Sequence, residues 1–438
     1  MTPIVAIVGR PNVGKSTLFN RLVGKPLAIV HDLPGVTRDR HYADAHLSGR
    51  NLTLVDTGGF DPESEDPLKA GIARQVRAAI DEADLVVCVF DGTNPPTDAD
   101  RVAVNLLRRS GKAVVYVANK ADSRERELGT GPLYELGLPE LVPVSALHGR
   151  GTAELARAVV EKLPEPEPEP ERSDDEAPRV AFVGRPNAGK SSLFNRLIGS
   201  ERSLVDSEPG TTRDPVDERV EFHGNPFVLV DTAGIRRRAR VERGIELVSV
   251  LRAIRSIEQA EVCVLMIDGA EGVSEQDARL LALSVERRRG VLVGLNKMDA
   301  LDREARALSL TKTREDLGFA RFAEIFPISA RTGEGVPKLM NAVSKCAREM
   351  RRRVSTAELN RFFEQVLERQ PPPTHGGRAP RIYYLTQAES RPPVFIVMSN
   401  HPEHIRESYK RFVINQIRQN FGFASVPITV FYKQKRSH

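Results

Sequence analysis

Two eight-residue segments combine glycines with a lysine and a serine in the same order. Residues 9–16 read Gly-Arg-Pro-Asn-Val-Gly-Lys-Ser, and residues 184–191 repeat the pattern with alanine in place of valine. Glycines at these positions let successive backbone N–H groups point at phosphate oxygens, beside the positive end of the following helix dipole. The lysine would reach the β- and γ-phosphates, and the serine hydroxyl would hold Mg²⁺. The sequence therefore predicts two phosphate-binding loops.

The predicted phosphate-binding residues occupy equivalent positions in the two copies. In the first copy they are Gly9, Arg10, Pro11, Asn12, Val13, Gly14, Lys15, Ser16 and Thr17. In the second copy they are Gly184, Arg185, Pro186, Asn187, Ala188, Gly189, Lys190, Ser191 and Ser192. An apolar run precedes each loop, at residues 4–8 and 180–183, and predicts a buried strand that leads through the turn into a helix. This shared context identifies both segments as P-loops.

An Asp-Thr-x-Gly motif follows each P-loop. The motif residues are Asp56, Thr57, Gly58 and Gly59 in the first copy, and Asp231, Thr232, Ala233 and Gly234 in the second. The carboxylate is expected to meet Mg²⁺, and the N–H of the last glycine to sense the γ-phosphate. A threonine between the P-loop and the aspartate, Thr37 or Thr212, is predicted to fold over the nucleotide and add a metal ligand. We therefore predict metal ligands Ser16, Thr37, Asp56, Ser191, Thr212 and Asp231, and catalytic roles for Lys15, Thr37, Gly59, Lys190, Thr212 and Gly234.

Two further motifs indicate which base is bound. They are Asn119, Lys120 and Asp122 with Ser145 and Ala146 in the first copy, and Asn296, Lys297 and Asp299 with Ser329 and Ala330 in the second. The aspartate accepts two hydrogen bonds from N1–H and N2–H₂ of guanine, which adenine does not offer, and a backbone amide of the Ser-Ala pair can bond guanine O6. The sequence therefore predicts two sites that select GTP over ATP.

The order of these motifs resembles that of the translation-factor class of GTPases. Many such enzymes carry a glutamine after the Asp-x-x-Gly motif to orient the attacking water, but Phe60 and Ile235 stand there in this chain. In related GTPases an asparagine at the position of Asn12 and Asn187 helps hold K⁺ against the phosphates, where its charge acts like an arginine finger. We hypothesise slow, potassium-stimulated hydrolysis. The alternative is that each asparagine only stabilises its loop.

The elements that must position these residues form a tandem repeat. The motifs recur at an offset of 175 residues, from Gly9 to Gly184 and from Asp56 to Asp231. Proline and glutamate alternate over residues 164–171, which predicts an extended spacer because such a segment cannot bury a core. We predict an α/β G domain at 1–162, an acidic linker at 163–178, a second α/β G domain at 179–350, each a mostly parallel sheet flanked by helices, and a small α+β domain at 351–438.

The C-terminal 88 residues differ from the rest in charge. They carry 15 Lys and Arg against 6 Glu and no Asp, a net charge of +9 in a chain whose total is +5, which indicates a polyanionic partner. The pattern predicts a helix after Ser355, strands at 381–387 and 393–399, a helix at 402–421 and a strand at 427–432. This order suggests a small two-layer module that binds RNA.

Composition restricts the class of protein. The length of 438 residues suggests about three domains, and three cysteines provide no disulfide framework. Cys88 and Cys263 occupy equivalent apolar strands and are expected to be buried side chains. No apolar run approaches the roughly 20 residues of a membrane span, and the N-terminal residues lack the pattern of a signal peptide. We expect a cytoplasmic monomer without membrane contact.

The chain resembles the Der or EngA family of double-Era-like bacterial GTPases over essentially its whole length. Besides the tandem motifs, the similarity rests on Ile382-Tyr-Tyr384, Ser408-Tyr-Lys-Arg411 and Phe421-Gly-Phe423. The resemblance implies two G domains joined by an acidic linker and closed by a KH-like domain, and a factor in maturation of the large ribosomal subunit that binds ribosomal RNA under control of its nucleotide sites. The chain departs from true KH modules because it lacks a Gly-x-x-Gly loop between two helices. The KH-like sheet is thus expected to dock G domains as well as RNA.

Two other functions remain open from the sequence. A GTPase coupled to tRNA modification would share the hydrophobic residue after Asp-x-x-Gly, but it would have one G domain and a C-terminal cysteine. A nucleotide-gated binding scaffold with negligible turnover would agree with Phe60 and Ile235, which cannot orient water.

Overall fold

A computed structural model of the protein describes residues 2–24, 42–59, 76–77, 79–165, 177–199, 217–230, 246–374 and 380–434. The chain divides into two compact units, one of residues 1–171 with 241–258 and one of residues 172–240 with 259–438. Each unit contains a six-stranded sheet, and the second also contains a three-stranded sheet. This arrangement confirms the predicted fold class of two α/β domains and a small α+β domain.

The first six-stranded sheet has the order β2-β3-β1-β4-β5-β6. Its strands are β1 (Ile4–Val8), β2 (Tyr42–Leu47), β3 (Arg50–Asp56), β4 (Leu85–Asp91), β5 (Ala113–Asn119) and β6 (Val142–Pro143). β2 pairs antiparallel with β3, whereas the other described pairs are parallel. β1 and β4 are buried along their whole length, as continuous apolar sequences predict for parallel strands covered on both faces.

Helices in the first half of the chain begin and end at recognisable signals. They are Lys15–Val23, Asp98–Ser110, Arg124–Leu128 and Thr152–Lys162, with 3₁₀ turns at Thr57–Gly59 and Gly131–Leu136. Thr97 forms a capping box with Asp100 at the start of one helix, and Gly111 ends that helix in a left-handed conformation. The helix Lys15–Val23 begins with the last two residues of the first P-loop, after Gly14 in a left-handed conformation.

The second six-stranded sheet repeats this architecture in the order β12-β11-β10-β7-β9-β8. Its strands are β7 (Arg179–Val183), β8 (Glu218–Phe222), β9 (Asn225–Leu229), β10 (Val262–Asp268), β11 (Gly290–Asn296) and β12 (Glu324–Pro327). The helices of this half are Lys190–Gly199, Glu246–Gln259, Glu275–Glu286, Arg303–Asp316 and Val336–Arg351, with 3₁₀ turns at Met298–Ala300 and Gly318–Ala320. Cys88 and Cys263 are buried in β4 and β10, as predicted.

The C-terminal segment has the predicted order of one helix, two strands, a helix and a strand. Its elements are the helix Thr356–Arg369, β13 (Ile382–Ser390), β14 (Pro393–Ser399), a 3₁₀ turn Pro402–His404, the helix Glu407–Phe421 and β15 (Thr429–Gln434). The prediction of a helix at 402–421 was wrong at its start. Residues 402–404 form a separate 3₁₀ turn, and the helix begins at Glu407. The glycine pair Gly376-Gly377, which does not fit the Gly-x-x-Gly pattern, lies outside the described residues.

The core of the second unit extends without a break from its six-stranded sheet into the C-terminal segment. One cluster of buried side chains includes Val264 and Leu339 together with Phe363, Phe395 and Phe423. Most aromatic side chains of the segment thus belong to or pack against this core, although Tyr383 and Tyr384 are 42% and 40% exposed. Among the described residues, no helix has the length and apolar character to span a membrane.

Candidate nucleotide-binding sites

The first P-loop follows β1 at the carboxyl edge of its sheet. Lys15 is buried, and its Nζ donates hydrogen bonds to the carbonyl oxygens of Gly9 and Arg10 at 2.7 and 2.9 Å. Lys190 repeats the arrangement, with Nζ 2.5 Å from the carbonyl oxygens of Gly184 and of Arg185. Each lysine side chain therefore lies against the backbone of its own P-loop.

Lys15 and Asp56 lie at the same edge of the sheet because β1 and β3 are neighbours. Ile7 pairs with Asp56, and Asp56 Oδ1 accepts a hydrogen bond from the Gly58 N–H at 3.0 Å. Burial lowers the pKa of Lys15, and the nearby Asp56 carboxylate acts in the opposite direction. The structure thus brings together the predicted phosphate-binding lysine and the predicted metal ligand of the first site.

Asn119 joins the P-loop to the Ser-Ala loop. Its Nδ2 donates to the Val13 carbonyl oxygen at 2.8 Å, and its Oδ1 accepts from the Ala146 N–H at 3.0 Å. Gly14 lies against the same amide with φ of 91°, so that a Cβ there would stand 2.3 Å from Asn119 Nδ2. A glycine is therefore required where the loop passes the asparagine.

The second site contains the same asparagine contacts. Asn296 Nδ2 donates to the Ala188 carbonyl oxygen at 2.9 Å, and its Oδ1 accepts from the Ala330 N–H at 2.8 Å. A Cβ at Gly189 would lie 2.0 Å from Asn296 Nδ2. In each copy, one asparagine side chain thus holds the P-loop and the Ser-Ala loop together.

Each predicted base-selecting aspartate has two polar neighbours. Asp122 accepts from Ser145 Oγ at 2.7 Å and pairs with Arg126 at 2.5 Å, and these contacts lower its pKa, the serine bond most. Ser329 and Arg331 lower the pKa of Asp299 in the same way. Both carboxylates are therefore held in the ionised form, which is the form that accepts hydrogen bonds from guanine.

The remaining predicted residues divide into two groups. In the P-loops and the first residues of the helices that follow, Ser191 is half-buried and the exposed residues are Pro11, Asn12, Ser16, Thr17, Pro186, Asn187 and Ser192. The residues Thr37, Phe60, Thr212, Asp231, Thr232, Ala233, Gly234 and Ile235 lie outside the described residues.

Comparison with known proteins identifies the family. Residues 4–120 and 179–297 match a family model described as 50S ribosome-binding GTPase, and residues 353–433 match one described as the C-terminal KH-domain-like region of EngA bacterial GTPase enzymes. GTPase Der of Clostridium novyi is 42% identical over 436 residues, which are 99% of each chain. The chain belongs to the GTPase Der family. GTPase Der of Caldanaerobacter subterraneus subsp. tengcongensis is 43% identical over 435 residues, 99% of this chain and 98% of that protein.

Membership of the Der family shows that the chain is a GTPase with GTP-binding domains, which hydrolyses GTP to GDP and phosphate. Residues 250–349 also match the model of the elongation factor Tu GTP-binding domain. The family therefore favours an enzyme over a binding scaffold without turnover.

Each nucleotide site of this Der-family chain contains a further acidic residue that sequence reasoning missed. Asp91 Oδ2 lies 2.7 Å from Lys120 Nζ, and Asp268 Oδ2 lies 2.6 Å from Lys297 Nζ. Burial disfavours the charged form of Asp91, but bonds from Lys120 and Thr93 outweigh it and hold its pKa at about 2. The pair fixes the lysine of each Asn-Lys-x-Asp motif. An Asp-Gly pair at the end of a buried strand in both copies was the signal that could have revealed it.

The arginine of each Der P-loop also has a partner that sequence reasoning missed. Arg10 Nε lies 3.5 Å from Asp100 Oδ2, and Arg185 Nε lies 2.8 Å from Asp277 Oδ2. Both aspartates belong to capping boxes at helix starts and are buried. These contacts connect the first P-loop to the helix that follows β4, and the second P-loop to the helix that follows β10.

Proposed function

We propose that the chain is a GTP-hydrolysing factor of ribosome biogenesis that acts in maturation of the large ribosomal subunit. In this proposal the nucleotide state of two G domains controls binding to ribosomal RNA. The observation that carries it is that Asn119 and Asn296 make the same contacts to a P-loop and to a Ser-Ala loop, in a chain with a basic C-terminal segment. The family description as a 50S ribosome-binding GTPase supports the choice of partner.

The proposal assigns a task to each segment. Residues 1–162 and 179–350 are the two G domains, residues 163–178 are the linker, and residues 351–438 are the KH-like domain. The protein would act in the cytoplasm as a monomer. A charge of +9 in the last 88 residues gives that domain the electrostatic character of a partner for RNA.

Exposed aromatic side chains give the KH-like domain a surface for RNA bases. Tyr383 and Tyr384 are both exposed because the pairing of β13 with β14 shifts register between Ile382 and Tyr384. The Arg381 guanidinium lies 5.8 Å from the centre of the Tyr383 ring. Aromatic rings and arginine planes stack on unpaired bases, and this stacking is worth roughly 1–3 kcal/mol per base.

In the proposed sites, Lys15 and Lys190 bind the phosphates, and Asp122 and Asp299 bind guanine. Mg²⁺ would be held by Ser16, Thr37 and Asp56 in one site and by Ser191, Thr212 and Asp231 in the other, and it would neutralise charge on the β- and γ-phosphates. Lys15→Ala and Lys190→Ala are each expected to remove one of two bound nucleotides. If Lys190→Ala still bound two per chain, the assignment of the second site would be wrong.

A potassium ion is proposed at Asn12 and Asn187. Both residues have φ of 65°, a left-handed conformation that asparagine tolerates, so loop geometry alone also accounts for their type. Substitution by glycine keeps this conformation and removes the side-chain oxygen. If potassium is bound there, GTP turnover is faster in KCl than in NaCl at equal ionic strength, and Asn12→Gly with Asn187→Gly removes the difference. Equal rates of the wild type in the two salts would contradict the proposal.

The experiment that tests the main proposal is co-sedimentation with purified large ribosomal subunits at near-physiological salt. A non-hydrolysable GTP analogue, GDP and no nucleotide are compared, and binding that depends on the nucleotide supports the proposal. Tyr383→Ala with Tyr384→Ala is expected to weaken binding, whereas the matched control Tyr134→Ala, which also removes an exposed tyrosine, is not. Absence of binding in every state would contradict the ribosomal role and direct attention to tRNA.

A further inference from the structure

We propose that His401, Glu403 and His404 form a binding site for a divalent transition-metal ion of the zinc class in the C-terminal segment. His401 Nδ1 lies 3.3 Å from Glu403 Oε1, and His404 Nε2 lies 3.6 Å from the same oxygen. The three ligand atoms all lie within 4.8 Å of one another. This site is separate from the two nucleotide sites and does not depend on the proposed function.

The spacing of the three atoms fits a metal of small radius. Zinc bonds to histidine nitrogen and carboxylate oxygen measure about 2.0–2.2 Å, so ligand atoms of a tetrahedral site lie roughly 3.3–3.6 Å apart. Two of the three separations, 3.3 and 3.6 Å, already have this length. The third separation, between the two imidazole nitrogens, is no longer than 4.8 Å.

The backbone holds the ligands close together before any metal binds. Pro402–His404 is a 3₁₀ turn in which the His404 N–H donates to the His401 carbonyl oxygen at 3.2 Å. Side chains three residues apart eclipse each other in a 3₁₀ turn, so the two imidazoles stand on the same side. Their ring centres are 5.7 Å apart.

The turn is fastened at both ends. Before it, the Asn400 side-chain oxygen accepts from the Arg381 N–H at 2.7 Å, and the His401 N–H donates to the buried Ser399 hydroxyl at 3.3 Å. After it, Ile405 is buried in the core of the segment. Less conformational entropy is therefore lost when a metal fixes the side chains.

The donor set indicates which metal ions bind. Two imidazoles and one carboxylate suit Zn²⁺, Ni²⁺, Co²⁺ or Cu²⁺, whereas Mg²⁺ and Ca²⁺ prefer oxygen ligands. With neutral imidazoles the site carries one negative charge, which attracts a dication. The remaining position of a tetrahedral ion would be filled by water.

The test is calorimetric titration of ZnCl₂ into the full-length, chelator-treated protein, saturated with GDP and Mg²⁺ so that the nucleotide sites are filled. Loss of even an outer partner of a ligand weakens metal binding by about 10–100-fold. We therefore expect His401→Ala, His404→Ala and Glu403→Gln each to weaken Zn²⁺ binding by at least about tenfold. CoCl₂ added to the wild type is expected to produce the visible absorption of tetrahedral Co²⁺.

His46→Ala is the matched control, because His46 is an exposed histidine in β2. His46→Ala is expected to leave the affinity for Zn²⁺ unchanged. Glu403→Gln alters an exposed side chain and is therefore expected to fold normally, so that a loss of Zn²⁺ binding in this variant cannot be ascribed to unfolding. Zinc should also raise the unfolding temperature of the wild type but not of the cluster variants. The proposal is overturned if the wild type binds no Zn²⁺, or if the cluster variants bind it with wild-type affinity.

Discussion

Arg185 Nε donates a 2.8 Å hydrogen bond to Oδ2 of Asp277, whose side chain is fully buried. The same arginine presents its carbonyl oxygen to Lys190 Nζ. One residue thus joins the phosphate-binding lysine to the N-terminus of the helix Glu275–Glu286. The contact spans 92 residues of sequence and orients the second P-loop from outside the loop itself.

Arg185→Ala is expected to weaken GTP binding at the second site by about tenfold, or about 1.4 kcal/mol, because the P-loop loses its anchor. It also leaves the buried carboxylate of Asp277 with fewer partners. Titration calorimetry with a non-hydrolysable analogue measures both sites. Arg185→Lys should restore part of the affinity, and Arg10→Ala should act on the first site alone. Equal affinities of wild type and Arg185→Ala would refute the anchoring role.

Gly14→Ala is expected to reduce GTP affinity at the first site by about 100-fold or more, because the new Cβ would stand 2.3 Å from Asn119 Nδ2. Nucleotide stoichiometry should fall from two to one per chain. Gly189→Ala should remove the second site for the same reason, since the corresponding distance is 2.0 Å.

Gly111→Ala separates this clash from backbone strain. Gly111 has φ of 68°, but apart from its chain neighbours no group lies within 4 Å of the position of its Cβ. We expect it to lower the free energy of unfolding by about 1 kcal/mol and to leave both nucleotides bound. Loss of a nucleotide in Gly111→Ala would show that strain, and not contact with an asparagine, explains the P-loop variants.

Asp122→Asn is expected to lower the affinity of the first site for GTP by about 100-fold and to raise its affinity for xanthosine triphosphate. The asparagine amide would place an N–H group against the N–H groups of guanine, and two donors cannot form a hydrogen bond. Xanthine has a carbonyl oxygen in place of the guanine amino group, and this oxygen can accept a bond from the amide. Competition between the two nucleotides measures the change, and Asp299→Asn provides the same test at the second site. Unchanged preference for GTP would mean that Asp122 does not contact the base.

Asp91→Asn is expected to lower the free energy of unfolding by about 1–2 kcal/mol at pH 7. The folded pKa of Asp91 is about 2, below the value of about 3.9 in unfolded chains. The stabilisation is therefore complete above about pH 4 and is lost as the pH falls through about 2. The difference between wild type and variant in urea denaturation should stay constant from about pH 8 to 5 and shrink below about pH 4. A difference that grows in acid would contradict the assignment.

The sequence predicted elements best where a local pattern is complete. The apolar run at residues 4–8 became β1 with the same bounds, and the capping pattern at Ser355 became the start of the helix Thr356–Arg369, where Ser355 accepts a bond from the Glu358 N–H. It failed at residues 402–406, because the apolar spacing from Ile405 to Phe421 predicted that the helix already included them. There the 3₁₀ turn that Pro402 begins ends at His404, and Ile405 is extended.

The sequence by itself determined the repeated motifs, the class of fold and the selection of guanine, because each depends on residues close together in the chain. Only the tertiary structure decided which distant residues complete the sites. Asn119 meets Val13 across 106 residues, and Arg185 meets Asp277 across 92. Such contacts arise where the ends of parallel strands come to the same sheet edge. No local spacing encodes them, because the order of strands across the sheet differs from their order along the chain.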